Sequence, residues 1–108
     1  MTTDANDERS IGAETALRPT GEIDFESAPR FEERMRARLD LADGDVVVDL
    51  TEVPFIDSSG LAVLVRAHQR ASAQHRRVLL TGVGPSIRRT FDITGLTGVL
   101  HLADRPSR

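Results

Sequence analysis

The 108-residue sequence contains no cysteine, no lysine and only four aromatic residues, all phenylalanine. Without cysteine there is no disulfide, no thiolate metal site and no cysteine nucleophile, so redox chemistry is set aside. A net charge of -3, no block of basic residues and so few aromatics leave no electrostatic footprint for DNA or RNA. All 14 basic residues are arginine, a bias that points to a GC-rich genome rather than to a mechanism. Long hydrophobic runs are also missing. The longest in any expected helix, Leu61 to Val65, falls far below the ~20 residues that cross a bilayer. The acidic, polar start from Met1 to Arg9 lacks an apolar h-region and does not resemble a signal peptide. No membrane segment, no cofactor and a cytoplasmic location are expected.

What is present reads as one globular domain. With 39% hydrophobic and 29% charged residues, the chain can build a core, and its length leaves no room for a second one. Residues 1 to about 13 show no hydrophobic periodicity and read as a loose polar tail. A short strand is expected around Thr15 to Ile23, pushed toward an edge or bulge by Pro19. Ser27-Ala28-Pro29 opens a helix whose Ala28, Phe31, Met35, Leu39 and Ala42 form one buried stripe, with Glu32, Glu33, Arg34, Arg36 and Arg38 facing water. Asp43-Gly44 ends it. Val46-Val47-Val48 lacks alternation and reads as a central parallel strand covered on both faces. Asp57-Ser58-Ser59-Gly60 opens a second helix running to about Gln74. On its wheel, Leu61, Leu64, Val65, His68, Ala71 and Ser72 share the apolar side, while Ser59, Val63, Arg66 and Arg70 lie opposite. Val78-Leu79-Leu80 is a further strand, Gly84-Pro85-Ser86 starts a third helix through Thr94, Gly95 ends it in the left-handed conformation, and a last strand covers Val99 to Leu102. Strands alternating with helices give an α/β class: a mostly parallel or mixed sheet of four to five strands with about three helices packed on it.

Four blocks carry a resemblance. They are Gly21-Glu22-Ile23-Asp24, the strand Val46 to Leu50, the run Val53-Pro54-Phe55-Ile56-Asp57-Ser58-Ser59-Gly60-Leu61-Ala62-Val63-Leu64, and Gly84 to Leu96. Together they resemble the STAS domains, and within them the bacterial anti-sigma factor antagonists, with residues 14–108 as the domain. Asp-Ser-Ser-Gly-Leu after an apolar strand end looks like the family's phosphorylation signature. The resemblance implies that Ser58 is phosphorylated by a partner that is both anti-sigma factor and serine kinase of the GHKL ATPase type, that a PP2C-type phosphatase reverses it, and that the unphosphorylated form makes the kinase release its sigma factor. Ser59 is the secondary candidate for modification. Asp24 matches an aspartate associated with partner recognition, and Asp57, Ser58, Ser59, Gly60, Val63 and Arg66 complete the expected partner-binding set. Pairing of the chain with itself stays open.

A phosphate on Ser58 would meet the unpaired N–H groups and the dipole of the helix start, so it need not melt the helix. Beside Asp57, a charge of about -1.5 to -2 must then be accepted or rejected by the partner. Taken alone, Asp57-Ser58-Ser59-Gly60 is better explained as a plain helix cap, and Asp24 as a turn residue; the surrounding blocks reverse the reading of the first. The resemblance also fits a subunit of a lipid-transport or stress-sensing complex. A serine hydrolase built on Ser58 or Ser59 is disfavoured, because no G-x-S-x-G elbow surrounds either serine. His68, His75 and His101 lie on different expected elements without ligand spacing, so no metal site is expected.

Overall fold

The structure, a computed structural model, describes residues 16–103. The expected polar tail, 1–13, lies outside them. In chain order the elements are β1 (Ala16–Leu17), α1 (Ala28–Leu41), β2 (Val46–Asp49), α2 (Ser58–Ala73), β3 (Val78–Thr81), α3 (Pro85–Thr94), a 3₁₀ turn (Leu96–Gly98) and β4 (His101–Leu102). The strands form one parallel sheet in the order β1-β2-β3-β4. Because each strand pairs with its sequence neighbours, right-handed crossovers carry α1 and α2 over the same face.

That arrangement corrects the expectation of a central strand covered on both sides. In β2, Val46 and Val48 are fully buried beneath the helices, while Val47 and Asp49 are only half-buried. β3 alternates in the same way, with Val78 and Leu80 buried and Leu79 and Thr81 half-buried. The closing strand is also shorter than expected. Val99 and Leu100 donate their N–H groups back to Leu96 and belong to the turn, leaving His101 and Leu102 to pair with β3.

The helices start and stop where their local chemistry predicts. Pro sits in the first turn of both α1 and α3, where a missing N–H leaves no bond unmade. Gly95 ends α3 at φ 79°, a left-handed conformation that favours glycine. The core gathers Phe31, Met35 and Leu39 of α1, Leu64 of α2 and Phe91 of α3 over the sheet. Arg76 binds the loose end of α1, donating to the carbonyls of Leu39 at 3.0 Å and Ala42 at 2.6 Å.

A second tight place lies beyond β3. Gly82 has φ 66°, and a Cβ there would meet Asp49 Oδ1 at 2.6 Å and the Thr51 backbone nitrogen at 2.8 Å. Asp49 in turn accepts from the Thr51 amide at 2.9 Å, so the turns after β2 and β3 interlock.

Candidate functional site

The site forms where two segments distant in sequence run side by side. Ile23 donates to the Phe55 carbonyl at 2.9 Å, and Asp57 donates to the Ile23 carbonyl at 3.0 Å, making a parallel bridge between Ile23 and Ile56. Both isoleucines point inward and are buried, which leaves Asp24 and Phe25 on one segment and Phe55 and Asp57 on the other at the surface.

Asp57 is the N-cap of α2. Its Oδ1 accepts from the amides of Ser59 at 2.8 Å and Gly60 at 3.2 Å, while its Oδ2 accepts from the amide of Phe25 at 3.1 Å. One carboxylate therefore caps the helix and ties it to a segment 32 residues earlier. Here the structure corrects the sequence reading: the Ser59 and Gly60 N–H groups, expected to greet a phosphate on Ser58, are occupied by Asp57. A phosphate would still feel the helix dipole, but it would stand outside the cap and beside a carboxylate.

Ser58 is the first residue of α2 and is exposed. Ser59 behind it is half-buried, which makes Ser58 the more accessible hydroxyl. Gly60, expected among the partner-binding residues, is buried. A Cβ on it would lie 2.6 Å from Ile56 Cγ1 and 2.7 Å from Ile23 Cγ2, so this glycine lets α2 sit directly on the bridge. Val63 is likewise not a surface residue. At 2% exposure it packs between the two helices beside Met35 and Leu39, because α2 buries one flank on the sheet and another on α1. Arg66 is half exposed, with Nε 2.7 Å from Glu32 Oε2 and Nη2 2.9 Å from Glu32 Oε1. Glu32, expected to face water, is drawn by this fork below the ordinary glutamate range.

Asp24 sits in a turn of its own making. Its Oδ1 accepts from the amides of Glu26 and Ser27, both at 3.1 Å, and its own amide donates to Ser27 Oγ at 2.9 Å. The Ser27 amide, foremost, holds its carboxyl below the ordinary aspartate range, so Asp24 stays ionised and half-exposed beside the Asp57 cap. One contact escaped the sequence: the rings of His68 and His101 approach to 5.4 Å between centroids, tilted by 54°. Nothing in linear spacing announces it. Among the described residues no group of three or more His, Cys, Asp or Glu could hold a metal ion, and no helix is long and apolar enough to cross a membrane.

Comparison with known proteins bears on this geometry. The STAS domain family model matches residues 4–107. The anti-sigma-B factor antagonist of Listeria monocytogenes is 35% identical over 83 residues, covering 76% of this chain and 72% of that protein. A crystal structure of an anti-sigma factor antagonist from Mycobacterium paratuberculosis is 29% identical, with a TM-score of 0.72 over 81% of this chain and 74% of that one. The Bacillus cell fate determinant SpoIIAA in its phosphorylated form superposes with a TM-score of 0.65 at 20% identity, covering 85% and 82% of the two chains, a likeness of fold alone.

Proposed function

The chain belongs to the STAS domain family, among the anti-sigma factor antagonists, and from that premise we propose that phosphorylation of Ser58 switches its binding to an anti-sigma factor off. The partner is a serine kinase of the GHKL ATPase type. The unphosphorylated chain docks on it, through Ser58, Asp24 and Asp57, and frees the sigma factor; a PP2C-type phosphatase restores the hydroxyl. In the phosphorylation step the serine oxygen bonds to the γ-phosphorus of ATP as the bond to ADP breaks, and the hydroxyl proton leaves to solvent or to a base of the kinase.

The observation that carries this proposal is an exposed serine at the mouth of a helix whose inner donors are already taken by Asp57. With the Ser59 and Gly60 amides engaged by Asp57, a phosphate there would stand outside the cap with its charge presented outward. One misplaced unit charge pair at 4–6 Å is worth roughly 3–4 kcal/mol at an effective dielectric of 20. A 100-fold loss of affinity needs only about 2.7 kcal/mol. Repulsion at the interface therefore suffices without a change of fold. The Bacillus neighbour of the same fold, solved in a phosphorylated form, is consistent with a scaffold that tolerates the modification.

The test is to incubate the chain and Mg-ATP with each GHKL-type ATPase of the source genome. Phosphate is expected on Ser58 by mass spectrometry and is lost in Ser58→Ala. Ser58→Asp is expected to weaken kinase binding at least tenfold with little change in melting temperature. Absence of modification by every such kinase, or a Ser58→Asp variant that unfolds while each folded molecule binds normally, refutes the proposal.

A further inference from the structure

Two of the four phenylalanines are in the core, Phe31 and Phe91, and two are not. Phe25 is 77% exposed and Phe55 47% exposed. They lie on the two segments joined by the Ile23–Ile56 bridge: Phe25 is hydrogen-bonded to Asp57, the residue before Ser58, and Phe55 stands three residues before Ser58 in the chain. Their backbones are fixed there by the bond from Ile23 to the Phe55 carbonyl and by the bond from the Phe25 amide to Asp57 Oδ2. Among the described residues, the other large exposed apolar ones, Leu41, Ile93 and Val99, sit at the end of α1, on α3 and at the close of the 3₁₀ turn, apart from one another in the chain.

The two segments that carry the rings are acidic, although Arg30 and Arg34 of α1 line a pocket with Glu22 and Ser27 next to them. Residues 21–29 and 51–59 contain Glu22, Asp24, Glu26, Glu52 and Asp57 and no arginine, lysine or histidine, in a chain with 14 arginines. We infer that Phe25 and Phe55 are the apolar anchors by which the anti-sigma factor grips this site, and that they enter an apolar recess of the partner rimmed by arginine or lysine. The inference rests on the proposed function, since it places the same partner on the same site.

The physical grounds are three. Exposed aromatic side chains at the centre of a contact carry a disproportionate share of binding, because they bury a large area and lose few rotamers. These two are presented on hydrogen-bonded backbone, which lowers the ordering cost of association. An acidic frame attracts a cationic rim, raises the association rate and rejects partners with acidic surfaces. A cationic rim alone would welcome a phosphate on Ser58, so the hydroxyl must face something anionic.

The experiment uses the full chain and whichever kinase phosphorylates wild-type Ser58, titrated by calorimetry in the presence of ADP. Phe25→Ala and Phe55→Ala are each expected to weaken binding tenfold or more without lowering the melting temperature, and Phe25→Leu to recover most of the loss. Glu26→Arg is expected to slow association and flatten its dependence on salt. Phe25 is exposed enough that its truncation tests the anchor even if Phe55→Ala loosens the fold. Phe25→Ala binding within twofold of wild type overturns the inference while leaving Ser58 phosphorylation intact. So does a change in self-association by sedimentation velocity with kinase affinity unaltered, which would assign the patch to a second copy of the chain. Failure of every kinase to bind or modify the wild type overturns the proposed function and the inference together.

Discussion

Replacing Asp57 by alanine removes three acceptor contacts at once: those to the amides of Ser59, Gly60 and Phe25. Loss of an N-cap side chain costs about 0.5–2 kcal/mol. Gly60 is buried, so its amide has poor access to water in compensation, and leaving a buried donor unmatched adds about 1–3 kcal/mol. The Phe25 amide is exposed and can turn to solvent, so its share is small. The sum expected for Asp57→Ala is about 2–3 kcal/mol, which for a domain of this size lowers the melting temperature by about 10 °C or more. Asp57→Asn keeps a carbonyl acceptor, and asparagine caps about as well as aspartate, so it is expected to cost about 1 kcal/mol or less. With no tryptophan or tyrosine in the chain, urea unfolding followed by far-ultraviolet circular dichroism is the suitable assay. An Asp57→Ala variant within about 0.5 kcal/mol of wild type would refute the capping argument. Equal damage from Asn and Ala would shift the effect from hydrogen bonding to charge.

Gly60→Ala sets helix propensity against packing. A free helical position would gain about 1 kcal/mol, but contacts at 2.6 and 2.7 Å with the two bridge isoleucines make a net loss of about 1–2 kcal/mol the expected outcome, and a more stable variant in urea would show the contact is not tight. Acid sensitivity should follow three carboxyls held below their ordinary values: Asp24 by the Ser27 amide, Glu32 by the Arg66 side chain, and Asp45 by the Arg77 side chain. Since their folded values lie below 3.8 for the aspartates and 4.5 for the glutamate, the native state binds fewer protons than the unfolded one; their contribution is in place above those values and is lost as pH falls through the folded ones. Arg66→Met should release Glu32 and shallow the acid-side loss of the urea midpoint, and an unchanged acid profile would count against the ion pair.

Much of this was legible before any coordinates. The proline-led starts of α1 and α3, the glycine stop at Gly95 and the Asp57 cap are decided within a few residues of chain, where local hydrogen bonding and φ preferences dominate. The exposure of Ser58 followed from its place at a helix mouth. Long-range partners were not legible. A helical wheel assumes one buried face, and Val63 escaped it because α2 also packs on α1. Arg66 and Glu32 looked solvated for the same reason, since their pairing depends on how two helices lie together. The triple valine looked doubly covered because a run of β-branched residues does not reveal on how many sides helices will lie. Gly82 carried no local signal, its tightness arising from Asp49 and Thr51 on another strand's turn. The bond from Phe25 to Asp57 joins positions 32 apart, and that separation hides why two ordinary blocks form one surface.

The strictly sequential order of the strands divides the chain's labour. Every residue proposed for the Ser58 surface comes from positions 22–66, so the stretch from β3 onward adds none to that proposal and serves as a buttress through β2. During synthesis the recognition surface is therefore encoded before its support emerges from the ribosome. Until β3 arrives, a valine-rich edge stands open to any other chain. Bait fragments trimmed after α2 would keep every residue proposed for recognition and yet be prone to clump, whereas substitutions on the exposed positions of α3 lie outside that proposed surface and give evolution a place to tune solubility or lifetime independently.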